Sequence, residues 1–243
     1  MGVPLNVTEW MKGYVGFGAT DTDAGFAEGI EQGTYFEHEV LIQMSDIDKF
    51  VADPGHTAKM DGYVYCERLG GKLPFQGGMF NMLVADENPS LYFMFYRMPL
   101  VNAAGQRYTV LGHKTLHKDR SVDLWSDITT LAVRIFEGDV EGPDMTTPAL
   151  GAAPNWPSSP IAMGIIHIQV LDGFRSARSF RSPGASALEL ADAVKKFCGF
   201  YLSKLWDIYA RMHGMHGMHG IHGLPVTGAL AHRDGAPQAR ETV

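Results

Sequence analysis

Two cysteines in 243 residues are too few for a disulfide scaffold or a thiolate zinc site. Cys66, on an expected strand, and Cys198, in an expected helix, read as buried thiols. No window approaches the roughly 20 apolar residues that a membrane helix needs. The opening MGVPLNVTEW lacks the basic and apolar segments of a secretory leader, and Asn6 stands where a myristoylation signal wants Ser or Thr. The expectation is a soluble, cytoplasmic chain with no transmembrane segment and no lipid anchor. Also missing are a GxSxG elbow, a Walker loop, an HExxH helix and a strand-linked GxGxxG; Gly16-Phe17-Gly18 lacks the following glycine and helix. These absences weaken hydrolase, nucleotide-dependent and metalloprotease readings, and no cofactor is expected. They leave room for isomerases and cyclases, which need only one acid or base in an apolar pocket. Basic charge is scarce as well. The net charge of −7 arises in the first 60 residues, where ten acids face three bases, Lys12, Lys49 and Lys59. An acidic surface repels phosphate, so nucleic acid is not an expected partner.

What the chain has is an ordinary globular composition, 45% hydrophobic and 19% charged, and a succession of β-type runs with turn chemistry between them. Seven runs are expected, at roughly 34–44, 57–69, 73–85, 90–101, 106–117, 126–138 and 160–171, each bounded to within a few residues. Gly70-Gly71, Glu87-Asn88-Pro89 and Ala104-Gly105 mark breaks too short for parallel crossovers, which favours an antiparallel meander. The fold class is therefore mainly β (α+β): an antiparallel β-barrel, lipocalin/calycin-like, with a long C-terminal amphipathic helix packed on it. Residues 1–33, with seven glycines, read as an irregular arm docked through Trp10, Tyr14 and Phe17. Residues 34–211 read as one domain and 212–243 as a flexible tail.

Ser45 looks like the N-cap of a short helix with Asp48 three residues on, ended by Asp53-Pro54-Gly55. Ser186 and Glu189 give a capping-box pattern ahead of Leu190, Val194, Phe197, Tyr201, Leu205 and Ile208, which recur at spacings of three and four up to about Met212. The run from Leu91 to Met98 is apolar on both faces, and this helix is the expected cover of its outer face. Alternation puts Tyr63, Tyr65 and Leu69 on one side of their run and Val64 and Cys66 on the other.

Chemistry-bearing residues are few. His113 and His117 are four apart, about 13 Å on a strand, too far to share one metal ion. Asp123, Trp125 and Asp127 alternate on an extended segment, and the same offset separates the two carboxylates too widely for an acid/base couple. Arg97, Arg134 and His167 interrupt apolar strands, either as polar groups in a ligand cavity or as members of buried pairs. The candidate ligand-binding set is Tyr65, Phe93, Phe95, Arg97, His113, Arg134 and His167; if the barrel is an enzyme, its catalytic group is sought among Arg97, His113, Arg134 and His167. The run of Met, His and Gly from 212 to 223 offers His213, His216, His219 and His222 as metal ligands, with adventitious binding by a repeat-expanded tail as the simpler account.

Five stretches carry a family resemblance: Glu9-Trp10-Met11-Lys12-Gly13-Tyr14-Val15, Asp46 to Pro54, Tyr108 to Lys114, Asp123 to Leu131 and Phe197 to Tyr209. Together they resemble an accessory domain joined to glucose-methanol-choline oxidoreductases of the cholesterol-oxidase type, over residues 9–209. The flavin-binding domain of those fusions is absent, so oxidase activity does not carry over, and no catalytic residue is transferred. The resemblance implies a module that works beside enzymes acting on sterols or other bulky lipids, with such an oxidoreductase as a candidate partner. Three functions are expected in turn: a non-catalytic binding module for a hydrophobic small molecule, a small barrel enzyme of the isomerase, cyclase or hydrolase kind, or a structural partner docking an oxidoreductase through the acidic N-terminal arm.

Overall fold

The computed structural model describes residues 2–86, 88, 91–117, 124–141 and 159–209. Eight strands follow one another: β1 (Leu5–Phe17), β2 (Tyr35–Met44), β3 (Thr57–Cys66), β4 (Gly71–Ala85), β5 (Leu91–Val101), β6 (Arg107–His117), β7 (Thr130–Glu137) and β8 (Ala162–His167). Each pairs antiparallel with the next, and β8 returns to β1, with Lys12 opposite His167 and Phe17 opposite Ala162. The sheet is thus a closed antiparallel barrel, and closure removes the edge strands that an open sheet would have to protect. Five α-helices accompany it among the described residues: α1 (Thr22–Gln32), α2 (Ile47–Ala52), α3 (Leu124–Thr129), α4 (Val170–Ala177) and α5 (Ala187–Tyr209). No helix among the described residues is long and apolar enough to cross a membrane.

The seven strands expected from residue 34 onward are all present, and the eighth is the correction. The supposed N-terminal arm contains β1, the staple that closes the barrel, followed by α1. Its glycines, which read as coil, are points of close approach. A Cβ on Gly13 would sit 2.1 Å from the Ile165 carbonyl oxygen, and one on Gly164 would sit 2.1 Å from that of Tyr14, so both glycines belong to the β1–β8 seam. A Cβ on Gly25 would likewise come within 2.1 Å of the Met163 oxygen, and one on Gly29 within 2.7 Å of Val15 backbone; α1 therefore lies flush on the outside of that seam.

Period-2 alternation sorts each strand into an inner and an outer row. Inward go Leu5, Met11 and Val15 of β1, Phe36, Val40 and Ile42 of β2, Met60 and Val64 of β3, Phe80 of β4, Met94, Tyr96 and Met98 of β5, Val110 and Leu116 of β6, and Leu131 and Val133 of β7, which make one buried cluster. Outer-row Phe93 and Phe95 make a separate cluster with Leu91, and Leu111, Phe136 and Val140 make a third.

The long helix is real, but it does not cover the outer face of β5. Helix α5 adds Ala193, Phe197, Leu205 and Ile208 to the interior cluster. Its ring of Phe197 lies 6.4 Å from Phe50 of α2, and Phe200 lies 4.6 Å from His56. The Tyr209 hydroxyl donates to Asp127 of α3 at 2.8 Å. It therefore lies across the end of the barrel where α2 and α3 connect strands. Inner-row side chains at an open barrel end need an apolar plug more than the outer row needs a roof, because Phe93, Phe95 and His113 already pack on one another there.

Local signals fare as their chemistry dictates. The Ser186–Glu189 capping box forms, with Glu189 accepting from the Ser186 amide and hydroxyl at 2.7 Å each. Helix α2 is capped by Asp46 and not Ser45, its carboxylate accepting from the amides of Asp48 and Lys49. The segment expected to be extended around Trp125 is instead helix α3, so β7 starts only at Thr130. Asp123 lies outside the described residues, and Asp127 caps neighbouring structure, accepting from the His117 amide and from Tyr209.

Gly25→Val should destabilise the fold by about 1–3 kcal/mol through overpacking against the β8 backbone, whereas Gly199→Ala, in an exposed turn of α5 with nothing within 4 Å, should stabilise it by up to about 1 kcal/mol. Urea unfolding of the two variants measures both effects.

Candidate functional site

Inside the barrel the inner rows are not wholly apolar. Counting by twos from Leu5 and Met11 on β1 brings Glu9 inward; the same parity brings in His38 on β2, Tyr96 on β5 and Lys114 on β6. These four meet. The Lys114 ammonium lies 3.2 Å from Glu9 Oε2 and donates to the Ile128 carbonyl at 3.1 Å. It also lies 5.4 Å from the centre of the Tyr96 ring. The Tyr96 hydroxyl donates to Glu9 Oε2 at 3.4 Å, and its ring stacks on His38 at 6.0 Å.

Burial alone would raise the Glu9 carboxyl pKa, but the Lys114 ammonium and the neighbouring His38 together outweigh it and hold the group at about 2. Glu9 is therefore an anion inside the barrel, paired with a lysine whose side chain is 1% exposed. Burial and the same carboxylate push the phenols of Tyr96 and Tyr201 upward, so both stay protonated donors. Tyr201 comes from α5, the helix across the barrel end.

The cluster is incompletely satisfied. Glu9 Oε1 has no hydrogen bond; His38 Nε2 stands 3.7 Å from it, too far for one, and neither nitrogen of the fully buried imidazole has a partner. Buried polar atoms are nearly always paired, so three open valences on two adjacent groups set this cluster apart from the rest of the interior. The Glu9 side chain keeps 14% of its surface exposed, although Oε1 itself is buried. Val7, Tyr92, Ile128 and Tyr201, which pack on the core near it or on α3 and α5, are only partly buried.

The residues expected either to line a ligand cavity or to form buried pairs fall on the outer face of the sheet. Tyr65, Phe93, Phe95, Arg97, His113, Arg134 and His167 all lie in the outer rows, so none lines the interior. Four of them meet on the outside of β5, β6 and β7. Phe93 and Phe95 are 5.6 Å apart, Phe95 stacks on His113 at 6.4 Å, and His113 Nδ1 is 3.1 Å from Arg134 Nη1. Burial, helped by that guanidinium, lowers His113 to about 4, so its imidazole is neutral at ordinary pH. The others stand apart: Arg97 holds Asp139 at 2.6 Å and the Val140 carbonyl at 2.9 Å, Tyr65 packs on Tyr35, and His167 bonds Thr130 and meets Phe26 edge-on. His117 points outward beside Asp127. His213, His216, His219 and His222 lie outside the described residues, and among the described residues no cluster of three metal-ligating side chains occurs. The signal that would have found the interior site was available: Lys114 shares its parity with Val110 and Leu116, as His38 does with Phe36 and Val40.

Glu9 titrates near 2 in the fold and near 4.5 in the unfolded chain. Its pairing therefore contributes stability fully above about pH 4.5, and that contribution is lost as pH falls toward 2. Lys114→Met should cost about 3–5 kcal/mol by leaving the carboxylate unpaired, while Glu9→Leu/Lys114→Met together should recover most of it; the loss of acid-dependent stability in the double variant, followed by urea unfolding from pH 7 to 2, checks the assignment.

Compared with protein-family models, with curated proteins and with solved structures, the chain gives no match.

Proposed function

We propose that the barrel is a binding module for a hydrophobic small molecule, sterol-like or lipid-like, that carries one hydroxyl or carbonyl group. The observation that carries this reading is the fully buried His38 imidazole, both nitrogens unpartnered, beside the open oxygen of an ionised Glu9. Around that polar point the inner wall is aromatic and methionine-rich, with Phe36, Phe80, Met11, Met60, Met94 and Met98. Thioether side chains adapt to irregular apolar shapes, which suits a bulky ligand without repeated polar features. Helix α5, lying across the end with Tyr201 near Glu9, serves as the cover that admits or retains it. The resemblance of the sequence to an accessory domain of glucose-methanol-choline oxidoreductases supports a further step, that the ligand is passed to or from an enzyme of that class.

The enzymatic alternative, an isomerase or cyclase, moves to the same interior. Its base and acid would be drawn from Glu9, His38 and Tyr96 and not from the outer-row residues. The lowered pKa of Glu9 makes it a weak base, so electrostatic positioning of a ligand fits the cluster better than proton abstraction. A docking role for residues 1–33 as a detachable arm fits poorly, since removing them removes β1 and opens the barrel.

Titration with a fluorescent sterol and with a fluorescent hydroxy fatty acid should show saturable binding of at least one probe. His38→Leu, which leaves the exterior untouched, should weaken it about tenfold, the worth of one buried ligand hydrogen bond. Absence of saturable binding of either probe, or equal affinity in the His38→Leu protein, would overturn the reading.

A further inference from the structure

Helix α4 is mounted inside out. Globular helices turn their apolar stripe to the core and their polar face to water. In α4, Asp172 faces the barrel and pairs with Lys12 of β1 at 3.0 Å, and the Arg175 guanidinium lies 3.8 Å over the Trp10 ring. The Ser176 hydroxyl is buried, and one turn further Ser179 bonds the Thr8 amide and carbonyl. The opposite face carries Val170, Leu171 and Phe174, which are 59%, 80% and 64% exposed. Val170 and Leu171 stand four and three residues before Phe174, so each shares a ridge with it. The helix is firmly seated through its polar side, since the segment after it bridges Asn6 and Arg181 through paired backbone bonds of 2.8 and 3.0 Å. Its apolar ridge is held outward by the barrel itself.

The charge beside that ridge is unusual for this chain. The protein carries 27 acids against 20 bases, yet between 170 and 186 the one acid is Asp172, already paired, and the bases are Arg175, Arg178 and Arg181. Arg178 lies four residues beyond Phe174 and is exposed, as is Arg181. Two large apolar side chains with Arg178 one turn along, and Arg181 in the segment after the helix with one guanidinium nitrogen on the Arg178 and Phe180 carbonyls, make the arrangement by which short helices lie in a bilayer interface, with rings and methyls among the acyl chains and guanidiniums at the phosphates. The ridge spans a few hundred Å² at most, the scale of a functional surface patch but well under the roughly 800 Å² per partner of a standard protein interface. A bilayer requires no matching shape and is satisfied by such a ridge.

We propose that the exposed face of α4 and the segment just after it, with Leu171 and Phe174 as apolar anchors and Arg178 and Arg181 as phosphate contacts, dock this protein on an anionic lipid surface. The assignment does not depend on what the barrel binds. If the barrel does carry a lipid-like molecule, the docking face lies outside β1, whose inner row supplies Val7 and Glu9.

The full chain is sedimented with vesicles of phosphatidylcholine containing about one-third phosphatidylglycerol and, in parallel, with vesicles of phosphatidylcholine alone, at about pH 8 so that the histidines of the C-terminal segment are neutral. Anionic vesicles should bind the protein at least tenfold more tightly than neutral ones. Leu171→Ser/Phe174→Ser and Arg178→Glu/Arg181→Glu should each lower that binding at least tenfold, with circular dichroism and urea midpoints near those of the parent. Ile30→Ser, which removes a half-exposed apolar side chain from α1, is the matched control and should bind as the parent does. Equal partition onto both vesicle types, equal binding by the Leu171→Ser/Phe174→Ser protein, or retention of the patch by soluble polyglutamate but not by vesicles would overturn the proposal, the last by assigning the face to an acidic protein.

Discussion

Closure of β8 onto β1 is the constraint on which everything else rests. Until β1 is paired on both sides, the inner rows of the remaining strands have no common interior, and Glu9 has no Lys114 to meet. The seam tolerates almost no side chain: Gly13 and Gly164 lie where a Cβ would strike the opposing backbone, and Gly25 and Gly29 let α1 press against the outside. Loss of backbone entropy at those glycines is offset by the pairing they permit, and by the removal of two sheet edges. A glycine-rich stretch that looks like a loose arm is thereby a tightly constrained wall of the barrel.

The seam also fixes the electrostatics. A carboxylate and an ammonium taken from water into a barrel interior face a desolvation cost that only close pairing and extra hydrogen bonds repay. Lys114 obtains such support from Glu9, the Ile128 carbonyl and the Tyr96 ring, while Glu9 uses one oxygen for that pairing and keeps the other open toward His38. The barrel is thus stable around its charge yet unfinished around its imidazole.

Helices α4 and α5 solve opposite problems. The apolar stripe of α5 had a home in the open barrel end, so its periodicity translated directly into packing. The polar side of α4 found its home on β1, through Lys12 and Trp10, with Ser179 just beyond the helix held by Thr8, and its apolar side was left facing out. Amphipathic periodicity announces that a helix has two faces, but which face turns inward depends on what the neighbouring wall offers.

Local chemistry was enough to read seven strands, the meander, the capping box at Ser186 and the long helix after it, because alternation, turn residues and caps act over a few neighbours in the chain. The first strand escaped because Glu9 and Gly13 break its alternation, and both residues have their reason far away, in Lys114 and in β8. The site escaped for a related cause. Polar residues in apolar strands were visible as a class, but parity decides the face, and parity acquires a meaning only when the barrel closes and one side of every strand becomes the inside. Composition and periodicity set the architecture; the inward placement of Glu9, His38, Tyr96 and Lys114, and the outward placement of Arg97, His113, Arg134 and His167, were settled by tertiary closure alone.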